Sequence, residues 1–131
     1  MKPLKSEAIN YLSGTVQVPG DKSISHWALM IGCLSIGETR IEGLLEGEDV
    51  LKTSEALRSL GVVSEKKASG NWLVRGRGVC GLVEPEQVLD MGNSGTAARL
   101  LIGVLAAHPF SVILSGDKSL NSRPMGRIIN P

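Results

Sequence analysis

Aromatic side chains are scarce in this sequence, 3% of 131 residues, with two Trp, one Tyr and one Phe. Single-stranded nucleic acid is held on rows of stacked rings, and this chain cannot supply them. An excess of one charge is also missing. Fourteen Lys and Arg stand against thirteen Asp and Glu, a formal net charge of +1, so neither nucleic acid nor a membrane surface is an expected partner. Long apolar runs are absent as well. The longest stretches without a formal charge, Ser23–Gly37 and Leu100–Gly116, are broken by His and Gly or Pro and fall short of the ~18 apolar residues of a spanning helix. Residues 1–7 carry no apolar core of the signal-peptide kind, so a cytoplasmic location is expected. Cysteine is limited to Cys33 and Cys80, with no CxxC and no neighbouring His pair. Two buried free thiols are expected, with no metal site.

Glycine, by contrast, is plentiful, 16 of 131, and it punctuates an alternation of elements. Tyr11–Val18 reads as a strand stopped by Pro19-Gly20. A Ser or Asp then opens a helix through Leu34, ended by Gly37. Thr39–Leu45 alternates and predicts a strand. Val50, Leu51, Leu57 and Leu60 recur at helical spacing over Glu48–Leu60. Val62–Lys67 and Asn71–Arg75 form a hairpin. Further on come a strand at Gln87–Asp90, a helix over Ala97–Ala107, a strand over Pro109–Leu114, a polar loop over Gly116–Pro124 and a helix starting at Met125. The Ala97 helix, apolar except for Arg99, should be buried on most sides. Gly20-Asp21-Lys22-Ser23 recurs as Gly116-Asp117-Lys118-Ser119, and Gly43–Val50 resembles Gly81–Val88. These echoes suggest a repeated α/β unit. The expected layout is one truncated domain over 1–131: a lead-in strand over 1–20, a first unit over 21–80, and a second over 81–131. The chain stops inside an apolar pattern just begun, which predicts the front piece of something longer.

Three segments place glycine or hydroxyls beside a cation. In Pro19–Ser25 a glycine turn feeds a helix start, where free N–H groups and the dipole favour an anion, with Lys22 and the Ser23 hydroxyl at hand. The alternative is an ordinary cap and a solvated lysine. In Gly92–Arg99, Gly95 lets a ligand approach the backbone, and Asn93 and Thr96 can donate to oxyanions. Arg99, the one charge on its helix, needs a partner, either a carboxylate or a ligand. In Arg123–Arg127, Pro124 stiffens the chain so that the Arg123 fork is aimed from a fixed point, unless it is a plain surface arginine. His108 reads as a cap. Glu46, Glu48 and Asp49 read as a solvated acidic cluster at a helix start. No acidic pair is placed for proton transfer.

Gly20-Asp21-Lys22-Ser23-Ile24-Ser25-His26, Gly92–Arg99 and Gly116-Asp117-x-Ser119-Leu120-x-x-Arg123-Pro124-Met125 together resemble the front part of the 5-enolpyruvylshikimate-3-phosphate synthase family, over about Leu12 to Pro131. The resemblance implies an α/β fold of repeated βαβαββ units, part of an inside-out α/β barrel and here incomplete. It implies transfer of the enolpyruvyl group of phosphoenolpyruvate to shikimate 3-phosphate with phosphate release, by addition and elimination and without a cofactor. Lys22 would touch both substrates and is the expected catalytic residue. Ser23 would bind shikimate 3-phosphate, and Asn93, Gly95 and Arg123 would line the phosphoenolpyruvate site beside Thr96. Arg99 is expected to be structural. Trp27 departs from the pattern, because the family has an arginine there that helps hold shikimate 3-phosphate; a lost charge-assisted hydrogen bond costs roughly 1.5–3 kcal/mol of binding. The family's later catalytic Asp, Glu and Lys lie beyond this chain, so activity is not expected from it alone. A separate polypeptide carrying the C-terminal half is one expected partner, as in a split enzyme. The other alternative is a non-catalytic binding module for phosphorylated carboxylates.

Overall fold

The glycines and the capping residues divide the described residues into ten short elements. The computed structural model describes residues 3–130; Met1, Lys2 and Pro131, the ends of the expected domain, lie outside the described residues. In order they are α1 (Lys22–Leu34), β1 (Ile36–Ile41), α2 (Glu48–Ser59), β2 (Val63–Lys66), β3 (Trp72–Arg77), β4 (Leu89–Asp90), α3 (Gly95–Leu105), β5 (Leu114–Ser115), α4 (Lys118–Asn121) and α5 (Gly126–Ile129). The architecture is a mixed α/β one, incomplete as a set of repeats.

β1, β3 and β2 form an antiparallel sheet in that order, with Ile36 opposite Arg77 and Val63 opposite Arg75. β4 and β5 pair in parallel, Leu89 opposite Leu114, with α3 as the crossover between them. α1 and α2 pack on the larger sheet. Leu29, Met30 and Cys33 of α1, Val50, Ala56 and Leu57 of α2, Trp72 and Val74 of β3, and Ala97, Ala98 and Leu101 of α3 share one core. Inside it, Ser54 and Ser64 bond to each other at 2.8 Å, and Arg58 Nη1 donates to Ser54 Oγ at 3.0 Å and to the Ser64 carbonyl at 3.1 Å, so these buried hydroxyls are satisfied.

Several expectations are corrected. Tyr11–Val18 forms no strand. It has no regular secondary structure and no sheet partner, with a bend at Gly14, and Tyr11, Leu12, Val16 and Val18 are all more than three-quarters exposed. β1 begins earlier than predicted because its register with β3 starts at Ile36. α1 ends at Leu34 with Ser35 as its C-cap, before Gly37. The strand expected over Pro109–Leu114 shrinks to Leu114–Ser115, and the polar loop contains α4, because the Asp117 side chain caps it by accepting from Leu120 N–H at 2.7 Å. α3 is buried on most sides, as expected: among its residues only Thr96 and Gly103 are exposed. Cys33 is buried, with its thiol pushed up to about 11 by desolvation, but Cys80 is exposed.

The sequence echoes do not mark equivalent places. Gly20–Ser23 opens the first helix after the lead-in segment, whereas Gly116–Ser119 opens the helix that follows β5. What the two share is local. Asp21 accepts from Ile24 N–H at 2.8 Å as Asp117 does from Leu120. In addition, a Cβ on Gly20 or Gly116 would run into the carbonyl of Gly43 or Gly92 respectively. The tetrapeptide is a helix-starting device that lets the turn lie flat against a neighbouring loop.

Candidate functional site

The starts of four helices are linked side by side. Lys22, in the first turn of α1, forms an ion pair with Asp49 in the first turn of α2. One turn along α2, Lys52 Nζ reaches Asp90 Oδ2 at 2.9 Å at the end of β4. Asp90 Oδ1 accepts from Gly92 N–H at 2.9 Å. That N–H first, and Lys52 second, hold the Asp90 carboxyl below its usual range; Asp90 first, then Glu55, raise the Lys52 ammonium. Gly92 O accepts from Asp117 N–H at 2.9 Å, and Asn93 Nδ2 donates to Asp117 Oδ2 at 2.5 Å, which ties the loop before α3 to the start of α4. The Asn93 amide, then the Leu120 N–H, keep the Asp117 carboxyl low.

α3 starts at this row because Ser94 caps it, its side chain accepting from Ala97 N–H at 3.2 Å. Arg123 arrives from the loop after α4. Its Nη2 donates to Asn93 Oδ1 and, at 3.3 Å, to Ser119 Oγ. A methyl group on Gly95 would stand 2.8 Å from Arg123 Nη1, so glycine is what leaves the guanidinium room over the helix start. Arg123 also lines a cavity with Met91, Ala98, Leu114, Ser115, Leu120, Asn121 and Met125, in which neither Lys22 nor Gly95 takes part.

Asn93, Gly95 and Arg123 are thus brought together, with Thr96 exposed in the first turn beside them. Lys22 is not in contact with that group; it stands further along the row, across α2. Ser23 and Trp27 border a shallow open groove with Ile24, and the Trp27 indole is 55% exposed. The acidic cluster is not simply solvated. Asp49 is taken by Lys22, and Glu46 accepts from Trp72 Nε1 at 3.1 Å and pairs with Lys66 at 2.7 Å. Lys66 first, then Trp72, hold the Glu46 carboxyl low. Asp49, Asp117 and Ser119 are neighbours of the candidate site to which the sequence reading gave no part in it. Their signal was present for the two aspartates, an acid in the first turn or at the cap of a helix, but not the partner each would take.

Beneath Lys22, His26 is fully buried on α1. Its Nδ1 is 2.8 Å from Thr53 Oγ1, which in turn donates to the Asp49 carbonyl at 3.1 Å. Its Nε2 has no partner. Burial lowers its pKa, Asp49 partly offsets this, and Lys22 adds to the lowering. His108 Nδ1 lies 3.2 Å from the Val104 carbonyl, the capping role expected for it. Among the described residues no three His, Cys, Asp or Glu side chains are grouped to hold a metal, and no helix is long and apolar enough to cross a membrane.

Fold and site together define an α/β protein with clustered helix starts beside an ammonium and a guanidinium, groups of the kind that suit small oxyanions. The comparisons with known proteins name the family. The family described as EPSP synthase (3-phosphoshikimate 1-carboxyvinyltransferase) matches residues 6–131, and the chain belongs to it. A 3-phosphoshikimate 1-carboxyvinyltransferase of Paramagnetospirillum magneticum is 57% identical over 99% of this chain and 29% of its own length. That of Granulibacter bethesdensis is 64% identical over 88% of this chain and 26% of its own. The solved EPSP synthase from Acinetobacter baumannii superposes with a TM-score of 0.83 at 47% identity, covering 88% of this chain and 26% of that one. The chain spans under a third of the length of these relatives.

Proposed function

We propose that this chain forms one substrate-facing part of an enolpyruvyl transferase that moves the enolpyruvyl group of phosphoenolpyruvate to shikimate 3-phosphate and releases phosphate. The observation that carries this reading is the row of linked helix starts, with Asn93, Gly95 and Arg123 meeting at α3 and Lys22 further along it. Backbone N–H groups, the dipole of α3 and a guanidinium fork suit a phosphate or carboxylate. Asn93, Gly95, Thr96 and Arg123 would hold phosphoenolpyruvate. Lys22, oriented by Asp49, would face both substrates, and Ser23 would meet shikimate 3-phosphate. The part played here is binding and charge stabilisation. Of the carboxylates on the row, Asp49, Asp90 and Asp117 are each committed to a cation or to N–H donors, which leaves proton transfer to residues outside this chain. We infer a cytoplasmic location to go with this reading.

Calorimetric titration tests the reading. Phosphoenolpyruvate should bind the isolated chain and shikimate 3-phosphate only weakly, because position 27 carries an indole. Trp27→Arg should tighten shikimate 3-phosphate by about tenfold or more, the equivalent of one charge-assisted hydrogen bond. Phosphate should be released only when the missing portion of a relative is added. No heat with phosphoenolpyruvate would remove the reading, and turnover by the chain alone would contradict the division of labour.

A further inference from the structure

Lys22 and His26 lie four residues apart on α1, and Asp49 and Thr53 four apart on α2. On each helix the two side chains therefore stand one above the other, and two rungs, one turn apart, join the helices. The outer rung is the Lys22–Asp49 ion pair, with the Lys22 side chain 54% exposed. The inner rung is the 2.8 Å contact between His26 Nδ1 and Thr53 Oγ1, both residues fully buried. An exposed ion pair between flexible stems fixes little by itself. α2 has no side-chain cap of its own, because Gly47 begins it. Its first turn is set against that of α1 by the buried rung, together with the Leu45 N–H that donates to Ser25 Oγ at 2.9 Å.

The protons on the buried rung can be counted. Thr53 has one hydroxyl proton, and it goes to the Asp49 carbonyl at 3.1 Å. Thr53 Oγ1 must then accept from His26 Nδ1–H. That tautomer leaves Nε2, which has no partner, as a bare lone pair. The other tautomer would turn the Thr53 proton to Nδ1, take it from the Asp49 carbonyl, and bury an Nε2–H with no acceptor, the costlier fault. A second proton on the ring would also orphan that N–H, and would place a charge in the core one turn below an ammonium. Burial opposes this second proton most; Asp49 of α2 favours it and Lys22 of α1 opposes it. β1, β3 and α3, also packed on α1, add no charge that acts on the ring among the described residues.

We propose that His26 is a positioning residue: as the neutral Nδ1–H tautomer it donates to Thr53, holds the first turns of α1 and α2 in register, and so fixes where the Lys22 ammonium stands. A proton gained by the ring releases that hold. That Lys22 meets substrate there rests on the function proposed above; its placement by His26 does not.

NMR of the whole chain, labelled with 15N and 13C, tests this. In the unsubstituted protein at pH 7.5 the imidazole nitrogens should report Nδ1 protonated and Nε2 bare, and a cross-peak should join the Lys22 Hε and Asp49 Hβ protons. That cross-peak should fade as the ring takes up its proton, below its ordinary 6.5. His26→Leu and Thr53→Val each sever the rung and should lose the cross-peak at pH 7.5. His26→Asn keeps an N–H donor on Cγ and cannot gain a proton, so it should keep the cross-peak from pH 7.5 to pH 5.5. The Nε2–H tautomer, a cross-peak unchanged in a folded His26→Leu or Thr53→Val, or the same fading with pH in His26→Asn would each overturn the proposal. The tautomer and the pH series of the unsubstituted protein decide it even if a variant fails to fold. No substrate enters these measurements. Lys22 placed through His26 in a chain that gives no heat with phosphoenolpyruvate would leave the proposal standing and sink the function above. Phosphoenolpyruvate binding with the Lys22–Asp49 cross-peak unmoved in His26→Leu would do the reverse.

Discussion

Gly95 shows how much one missing methyl group decides. The atoms a Cβ would meet are the far ends of two flexible arginines, Arg123 Nη1 at 2.8 Å and Arg99 Nη1 at 3.2 Å. They can swing away, so Gly95→Ala should fold, with a Tm equal to or above that of wild type because alanine suits a helix better. It should nonetheless weaken phosphoenolpyruvate about tenfold, read by calorimetry, because the displaced guanidinium no longer covers the helix start. His26 gives a second prediction at this scale. Burial disfavours its charged form, so the unfolded chain takes up a proton at a higher pH than the folded one. The stability that the neutral ring supports is complete above its ordinary value of 6.5 and is lost as pH falls below that towards the lower folded pKa. Urea unfolding at pH 7.5 and pH 5.5 should show the lower midpoint at pH 5.5. A His26 ring that titrates at or above 6.5 by NMR would contradict this.

At the scale of elements, caps outrank propensities. Asp21 accepts from Ile24 N–H at the exposed start of α1, and Asp21→Ala should cost about 1 kcal/mol in urea unfolding. These starts were legible in the sequence because a cap is a local signal: α1, α2 and α3 all begin at or within two residues of a turn residue that the sequence marks. Strands were less legible, because a strand needs a partner that the local pattern does not name. Tyr11–Val18 has alternation at its end but nothing beside it, whereas β1 slid to Ile36 because β3 was there to pair with. The candidate site divides the same way. The glycines and hydroxyls of the helix starts were readable. The Lys22–Asp49 and Asn93–Asp117 links were not, since each joins residues 24 or more positions apart.

At the scale of the molecule, the apolar residues are not all enclosed. Ile24, Trp27 and Ile31 form a stripe along the outer face of α1, each more than half exposed, and Trp27 and Ile31 line a hollow with Leu100 and Val104 of α3. Trp72, by contrast, is 6% exposed under the sheet. Acrylamide should therefore quench one of the two indoles readily and the other poorly, and Trp27→Phe should abolish the readily quenched component. Quenching that is uniform across both would contradict the packing described.

The lateral links among the helix starts are largely electrostatic, a lysine to an aspartate at two steps, and they lie at the surface. Dissolved ions therefore act on this face twice. They compete for the guanidinium groups, and they screen the bonds that keep neighbouring turns abreast, over a Debye length of about 8 Å at physiological ionic strength. Affinity for a phosphorylated guest should then fall with added NaCl more steeply than simple competition predicts, as the cradle itself slackens.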